Sequence, residues 1–174
     1  MCRHKKPNEK VLILSGDKDF IQLHKYPGIT QYNPIMKQYV ATINPYEYVK
    51  THIIKGDKSD GIPNILSDDD TFVNQKRQKP ISQKKINLWI NQEPTYFCTT
   101  KKELDNYTRN KILIDMDCIP DELEDKILVE YNTQLNKKET KVSLDYFKTH
   151  DLNDLIKKLN FCSLDVIKDE ITVK

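Results

Sequence analysis

Long apolar runs are missing from this 174-residue chain. No window approaches the roughly 18 uninterrupted apolar residues that a bilayer-spanning helix needs. The basic N-terminus MCRHKKPNEK is followed by no apolar stretch of the kind a secretory leader carries. A helical membrane span is thereby excluded, and a cytoplasmic protein is expected. Closely spaced cysteines are missing too. Cys2, Cys98, Cys118 and Cys162 lie far apart and form no CxxC pair, so neither a zinc site nor a disulfide framework is expected. Charge of one sign is also in short supply: 28 basic and 26 acidic side chains leave a formal +2. No global field announces a nucleic-acid partner, and such a contact would have to come from local patches. The length suffices for one ordinary domain with its own core, in one or two lobes.

What is present begins with Val11–Leu14, a short apolar run of the kind found in a parallel strand covered on both faces, ended by Ser15-Gly16. Residues 29–33 and 39–43, rich in β-branched and aromatic side chains and joined through Asn33-Pro34, predict a hairpin. Asn44 then reads as an N-cap, Pro45 as the first helical position and Glu47 as its capping partner. The helix should run to Lys55, bury Val49, Ile53 and Ile54, and stop at Gly56. From there to about residue 80 the composition is that of a polar connector, with SDDD at 67–70 read as a solvated loop. Four further helices are predicted over 81–93, 101–113, 120–132 and 151–161. The chain thus reads as an α/β piece whose parallel-type strand comes early, followed by a mostly helical part. A lone parallel strand needs neighbours.

Two short motifs concentrate carboxylates. In SGDKD, Asp17 and Asp19 stand two residues apart at the carboxyl end of a strand; in an extended chain both point the same way, about 6 to 7 Å apart. Crevices at that end of an α/β sheet are where ligands bind. In KGDKSDG, Asp57 and Asp60 are spaced i and i+3, which would put them on one side of a helical turn. Four converging carboxylates repel one another by about 4 kcal/mol per close pair at an effective dielectric near 20. A bound cation removes that penalty. Oxygen-only ligands favour Mg2+ or Mn2+ over zinc, and two ions about 3.5 to 4 Å apart suit in-line attack on a phosphodiester. Each motif alone also reads as a turn or a helix cap.

Together and in this order, LILSGDKDFIQLHKYP at 12–27 and IIKGDKSDGIPN at 53–64 resemble the flap endonuclease and 5′→3′ exonuclease superfamily, in particular its T-even-phage-type ribonucleases H. RNKILIDMDCIPDELEDKILVEYN at 109–132 and DYFKTHDLNDLIKKLNF at 145–161 are similar to the same group. The resemblance implies a partial PIN-like nuclease sheet edge over residues 1–45, a helical DNA-binding part over 46–161 with a helix-hairpin-helix or three-helix element, and a tail over 162–174. It implies Asp17 and Asp19 as catalytic metal ligands, one for each of two Mg2+ ions (Mn2+ substituting), and Asp57 and Asp60 as carboxylates of the second, more loosely held ion. It places duplex-DNA contacts on Lys55, Gly56, Lys58, Ser59, Gly61, Ile62 and Asn64, with K+ at the hairpin. The implied activity is removal of RNA primers and 5′ DNA ends during replication, in the cytoplasm of the bacterial host.

Two departures qualify that picture. After GIP this chain reads NILSDDD, where many relatives make a second glycine turn. The family's N-terminal half, with further acidic ligands, the strands beside VLIL and a basic arch, has no counterpart here. The expectation is therefore a C-terminal portion that binds metal weakly and cuts slowly or not at all by itself, completed by an N-terminal nuclease half in trans. A single-stranded DNA-binding protein is a further implied partner, and branched or RNA-primed duplex DNA the substrate. The competing reading is a non-catalytic duplex-DNA-binding module. Trp89 is read as core, His24 and His52 as surface or capping residues without metal spacing, and the basic runs at 76–79 and 84–85 as candidates for phosphate contact.

Overall fold

The computed structural model describes residues 2–41, 44–136, 141–154 and 170–172, without the side chains of 141–145 and 170–172. The chain divides into two compact units, residues 1–121 and 122–174.

In the first unit the apolar run forms β1 (Val11–Leu14), which pairs in parallel with β2 (Ile29–Asn33) in the register Val11 to Ile29 through Leu14 to Tyr32. A 3-10 helix, Lys18–Lys25, makes the crossover between them. The hairpin is present and shorter than predicted: β2 pairs antiparallel with β3 (Gln38–Tyr39), and residues 42 and 43 lie outside the described ones. The sheet order is β1-β2-β3. One face of β1 is largely exposed among the described residues, contrary to the two-sided burial that VLIL predicts. Leu12 and Leu14 are 50% and 68% exposed.

Helix α1 (Pro45–Lys55) has the predicted bounds. Asn44 accepts the amides of Tyr46 and Glu47, and its own side-chain amide donates to Glu47 Oε1 at 2.9 Å. Gly56 ends the helix at φ +68, where a Cβ would stand 2.3 Å from the carbonyl oxygen of Ile62, so the left-handed turn and the close approach both require glycine. The helix expected over 81–93 is present as the shorter α2 (Gln83–Trp89), capped by Ser82, and a short α3 (Pro94–Phe97) that was not expected follows it. Helix α4 (Lys101–Ile114) opens with a full capping box between Thr100 and Glu103. The core is built from Ile53, Ile54, Ile65, Ile86, Phe97 and Tyr107, with Trp89 packed against it. Trp89 stacks on Phe97 at 5.2 Å between ring centroids, and Phe97 meets Tyr107 edge-on. The core reading of Trp89 therefore holds.

The connector over 56–80 departs most from expectation. Its polar residues Asn64, Ser67 and Thr71 are buried, because buried amides of α4 hold its backbone. Asn110 donates to the carbonyls of Ile53 and Pro63 at 2.9 and 2.8 Å, and Asn106 donates to those of Ile65 and Ser67. The SDDD aspartates are each ion-paired: Asp68 with Lys102, Asp69 with Arg109, Asp70 with Lys76.

The second unit contains α5 (Asp121–Leu135), which begins at the last residue of the first unit, and a two-stranded antiparallel pair, β4 (Lys141–Ser143) with β5 (Glu170–Thr172). Helix α6 (Leu144–Thr149) follows β4. The predicted helix over 151–161 lies largely outside the described residues, as do Cys162 and most of the tail. No helix among the described residues is long and apolar enough to cross a membrane.

Candidate functional site

The chain leaves β1 at Ser15, and the acidic motif does not stay extended. Asp17 caps the 3-10 helix, its Oδ1 accepting the amide of Asp19 at 2.9 Å. The Asp17 backbone amide donates to Ser15 Oγ. The alternation argument for Asp17 and Asp19 therefore fails locally, because an aspartate side chain competes for the next amides and turns the chain. Both carboxylates nonetheless line one cavity.

That cavity, about 580 Å³, is lined by Gly16, Asp17, Lys18 and Asp19 from one segment, and by Tyr48, His52, Asp57, Ser59 and Asp60 from α1 and the turn after it. The four aspartates named from sequence are thus brought together. The second pair does not sit on a helical turn. Gly56 has ended α1, and Asp57 pairs with Ile62 across a tight turn closed by the Ile62 amide on the Asp57 carbonyl at 2.7 Å. Within it, Asp57 Oδ1 accepts the Ser59 amide, the Ser59 hydroxyl and the Asp60 amide. The Ser59 hydroxyl bond is the chief reason that the Asp57 carboxyl lies below the usual carboxylate range.

Asp19 is shifted the other way. Burial raises its carboxyl most; His52 opposes that, and Asp17, Asp57 and Asp60 add to the rise. At Tyr48, burial and then the charges of Asp19, Asp17 and Asp57 push the phenol up to about 12. The donor set is oxygen-rich, crowded and short of cations. Its residues fit a divalent ion on the chemistry of the ligands alone.

Sequence patterns missed three side chains that shape the site. His52 lies between the motifs, with Nε2 2.9 Å from Asp57 Oδ2 and Nδ1 3.5 Å from Asp19 Oδ1. Its position five residues before Asp57, in the last turn of a helix that stops at Gly56, was the available signal. Gln31, 1% exposed, donates through Nε2 to the carbonyls of Ser15 and Asp17. Gln22, fully buried, donates to the carbonyl of Ile114 and accepts the amide of Met116. These glutamines tie the acidic segment to β2 and to the end of α4.

The residues assigned to nucleic acid separate. Lys55, Lys58 and Asn64 line a second cavity of about 640 Å³ together with Lys76, Arg77 and Lys79, so the basic run at 76–79 joins the KGDKSDG lysines in one groove. Gly61, at φ +73, has open space around it. Ile62 and Asn64 are buried, and the Asn64 side chain is committed inward, to the Lys79 carbonyl, the Leu66 amide and the Ser67 hydroxyl. Gly56 sits against Pro63, and Ser59 faces the acidic cavity. Lys84 and Lys85 lie outside the groove lining.

A small sheet with one parallel pair, a helical remainder and an acidic cavity at the carboxyl end of the parallel strand define a mixed α/β, nuclease-like class of protein. The comparisons narrow the class. A family profile described as "T4 RNase H, C terminal" matches residues 45–161, and the chain belongs to this family. It is similar to the ribonuclease H of Enterobacteria phage T4, with 32% identity over 157 residues that cover 87% of this chain and 51% of that relative. The chain spans about half the length of that relative.

Proposed function

We propose that this chain is the C-terminal portion of a phage-type ribonuclease H that acts as a 5′→3′ exonuclease and flap endonuclease, hydrolysing phosphodiester bonds of RNA primers and 5′ DNA ends in the host cytoplasm. The convergence of Asp17, Asp19, Asp57 and Asp60 on one cavity carries the reading. These carboxylates would hold two Mg2+ ions, with Mn2+ able to substitute. Bound ions would supply Lewis acidity toward the scissile phosphate and the attacking water.

The chain's own contributions are positional. Asp17 and Asp57 each turn the backbone that carries the next carboxylate, Asp19 and Asp60. Gln31 holds the Asp17 carbonyl in place. The groove of Lys55, Lys58, Lys76, Arg77 and Lys79 supports binding of a duplex phosphate backbone. The turn from Gly56 to Asn64 is read as the start of a hairpin DNA-binding element, with K+ at its open Gly61 side. Partners are branched or RNA-primed duplex DNA, an N-terminal nuclease half in trans and a single-stranded DNA-binding protein.

The same groove also favours a second reading, a duplex-DNA-binding module without catalysis. A magnesium-dependent cleavage assay on a 5′-flap and an RNA-primed duplex separates the two, run with this chain alone and mixed with a polypeptide supplying the N-terminal half. Activity in the mixture that Asp19→Asn abolishes while duplex affinity holds is the nuclease result. Binding without cleavage in either arm would leave the module.

A further inference from the structure

His52 is the one imidazole in the acidic cavity, and it is held there by design of the helix end. It occupies the last turn of α1, and Gly56 then reverses the chain so that Asp57 returns to the same ring. Asp57 Oδ2 lies 2.9 Å from Nε2, while Asp57 Oδ1 is already engaged by Ser59 and Asp60. A carboxylate accepting at Nε2 puts the proton on that nitrogen and fixes the ring. The other nitrogen, Nδ1, is then the one with a lone pair to offer. It is buried, points toward Asp19 Oδ1 at 3.5 Å, and has no hydrogen-bond partner.

The ring is thus anchored on one side and open to a further partner on the other. A nitrogen oriented from behind by a carboxylate, with its lone pair aimed beside a second carboxylate, is the arrangement of a metal-ligating histidine. One ligand atom from each of Asp19, His52 and Asp57 can be chosen so that all lie within 4.8 Å of one another.

We infer that His52 Nδ1 is a direct ligand of the ion held by Asp19, with Asp57 as its positioning residue, so that this centre has a mixed nitrogen and oxygen donor set selective for Mn2+ and later first-row divalent ions over Mg2+. The inference rests on the proposal that Asp19 holds a divalent cation. It goes beyond that proposal by assigning a ligand and a metal preference that four carboxylates do not imply. Mg2+ is hard and takes oxygen, whereas a borderline imidazole nitrogen strengthens binding in the order Mg2+, Mn2+, Co2+.

The test uses the full chain with the bare metals. Calorimetric titrations with MgCl2, MnCl2 and CoCl2 are paired with pulsed electron paramagnetic resonance of the Mn2+-loaded protein, which reads nitrogen coupling from a bound imidazole directly. The expected result is nitrogen coupling in the wild type that is lost in His52→Gln. That variant should lose roughly tenfold or more in Mn2+ affinity, more for Co2+, and less than about threefold for Mg2+. Mn2+ binding that depends on Asp19 but shows no nitrogen coupling would overturn the His52 assignment and leave the carboxylate metal centre standing. Binding of all three metals that is absent, or indifferent to Asp19→Asn, would overturn both. Should His52→Gln fail to fold, the wild-type spectrum and its loss in Asp19→Asn decide the matter.

Discussion

At the scale of single residues the acidic cavity sets stability against function. Burial and neighbouring carboxylates raise the Asp19 pKa in the folded chain, so the folded state binds the proton more tightly than the unfolded one. Its contribution is stabilising below the ordinary carboxyl pKa of about 3.9 and is lost as pH rises through the folded value. Asp19→Asn, which cannot ionise, should therefore melt higher than the wild type at neutral pH in the presence of a chelator. The gain should stay under about 1 kcal/mol, because the carboxylate is about a third exposed and solvent screens it. It should vanish below about pH 4 and reverse in excess Mg2+, where only the wild type gains binding energy. Thermal melts at three pH values, with and without metal, check all three signs. The aspartates were legible in the sequence because a carboxylate declares its chemistry by identity. His52 was harder to read, because its place before Asp57 means something only once the helix end at Gly56 is known, and Asp19 is remote in sequence.

At the scale of elements, helix ends do much of the positioning. Gly56→Ala places a Cβ against the Ile62 and Pro63 backbone at a positive φ. We expect a loss on the order of 2–4 kcal/mol in urea unfolding, together with weakened metal uptake as Asp57 is displaced. Asn110→Leu removes the side-chain donor to the buried Ile53 carbonyl and the closer of two donors to that of Pro63, which Arg109 also reaches at 3.4 Å. Leaving the Ile53 acceptor unpaired should cost roughly 1–3 kcal/mol with the helices retained by circular dichroism. A cap made α1 readable, since Asn44, Pro45 and Glu47 act within four residues of one another. The segment 56–80 is the loop that its composition predicts, but its burial was not legible, for the opposite reason. What orders it is the amides of Asn106 and Asn110 on another helix, and polar composition looks the same whether its partner is water or a buried asparagine.

At the scale of the whole molecule, a net charge of +2 conceals strong segregation. One cavity collects four aspartates and another collects Lys55, Lys58, Lys76, Arg77 and Lys79. Lys76 is paired with Asp70, leaving about four cations for phosphates. Duplex affinity measured by fluorescence anisotropy should fall with salt at a log–log slope of about −3 to −4, and Arg77→Ala with Lys79→Ala should make it shallower by about 2. The parallel pairing of β1 with β2 could not be read from the hairpin pattern, because a strand can serve as both a hairpin arm and a parallel neighbour. The open side of β1 shows the limit of a composition argument. VLIL reads as doubly buried, yet Leu12 and Leu14 are largely exposed among the described residues.

Gln22 stands 92 and 94 residues from the two partners that grip it, Ile114 and Met116. A chain made from its N-terminus releases the acidic segment long before the clamp that seats it exists. At about 5–20 residues per second the delay is roughly 5 to 20 seconds of synthesis. The two aspartates nearest the start of the chain are therefore among the last to reach their places, and a nascent chain stalled before Ile114 would carry their charges without their site.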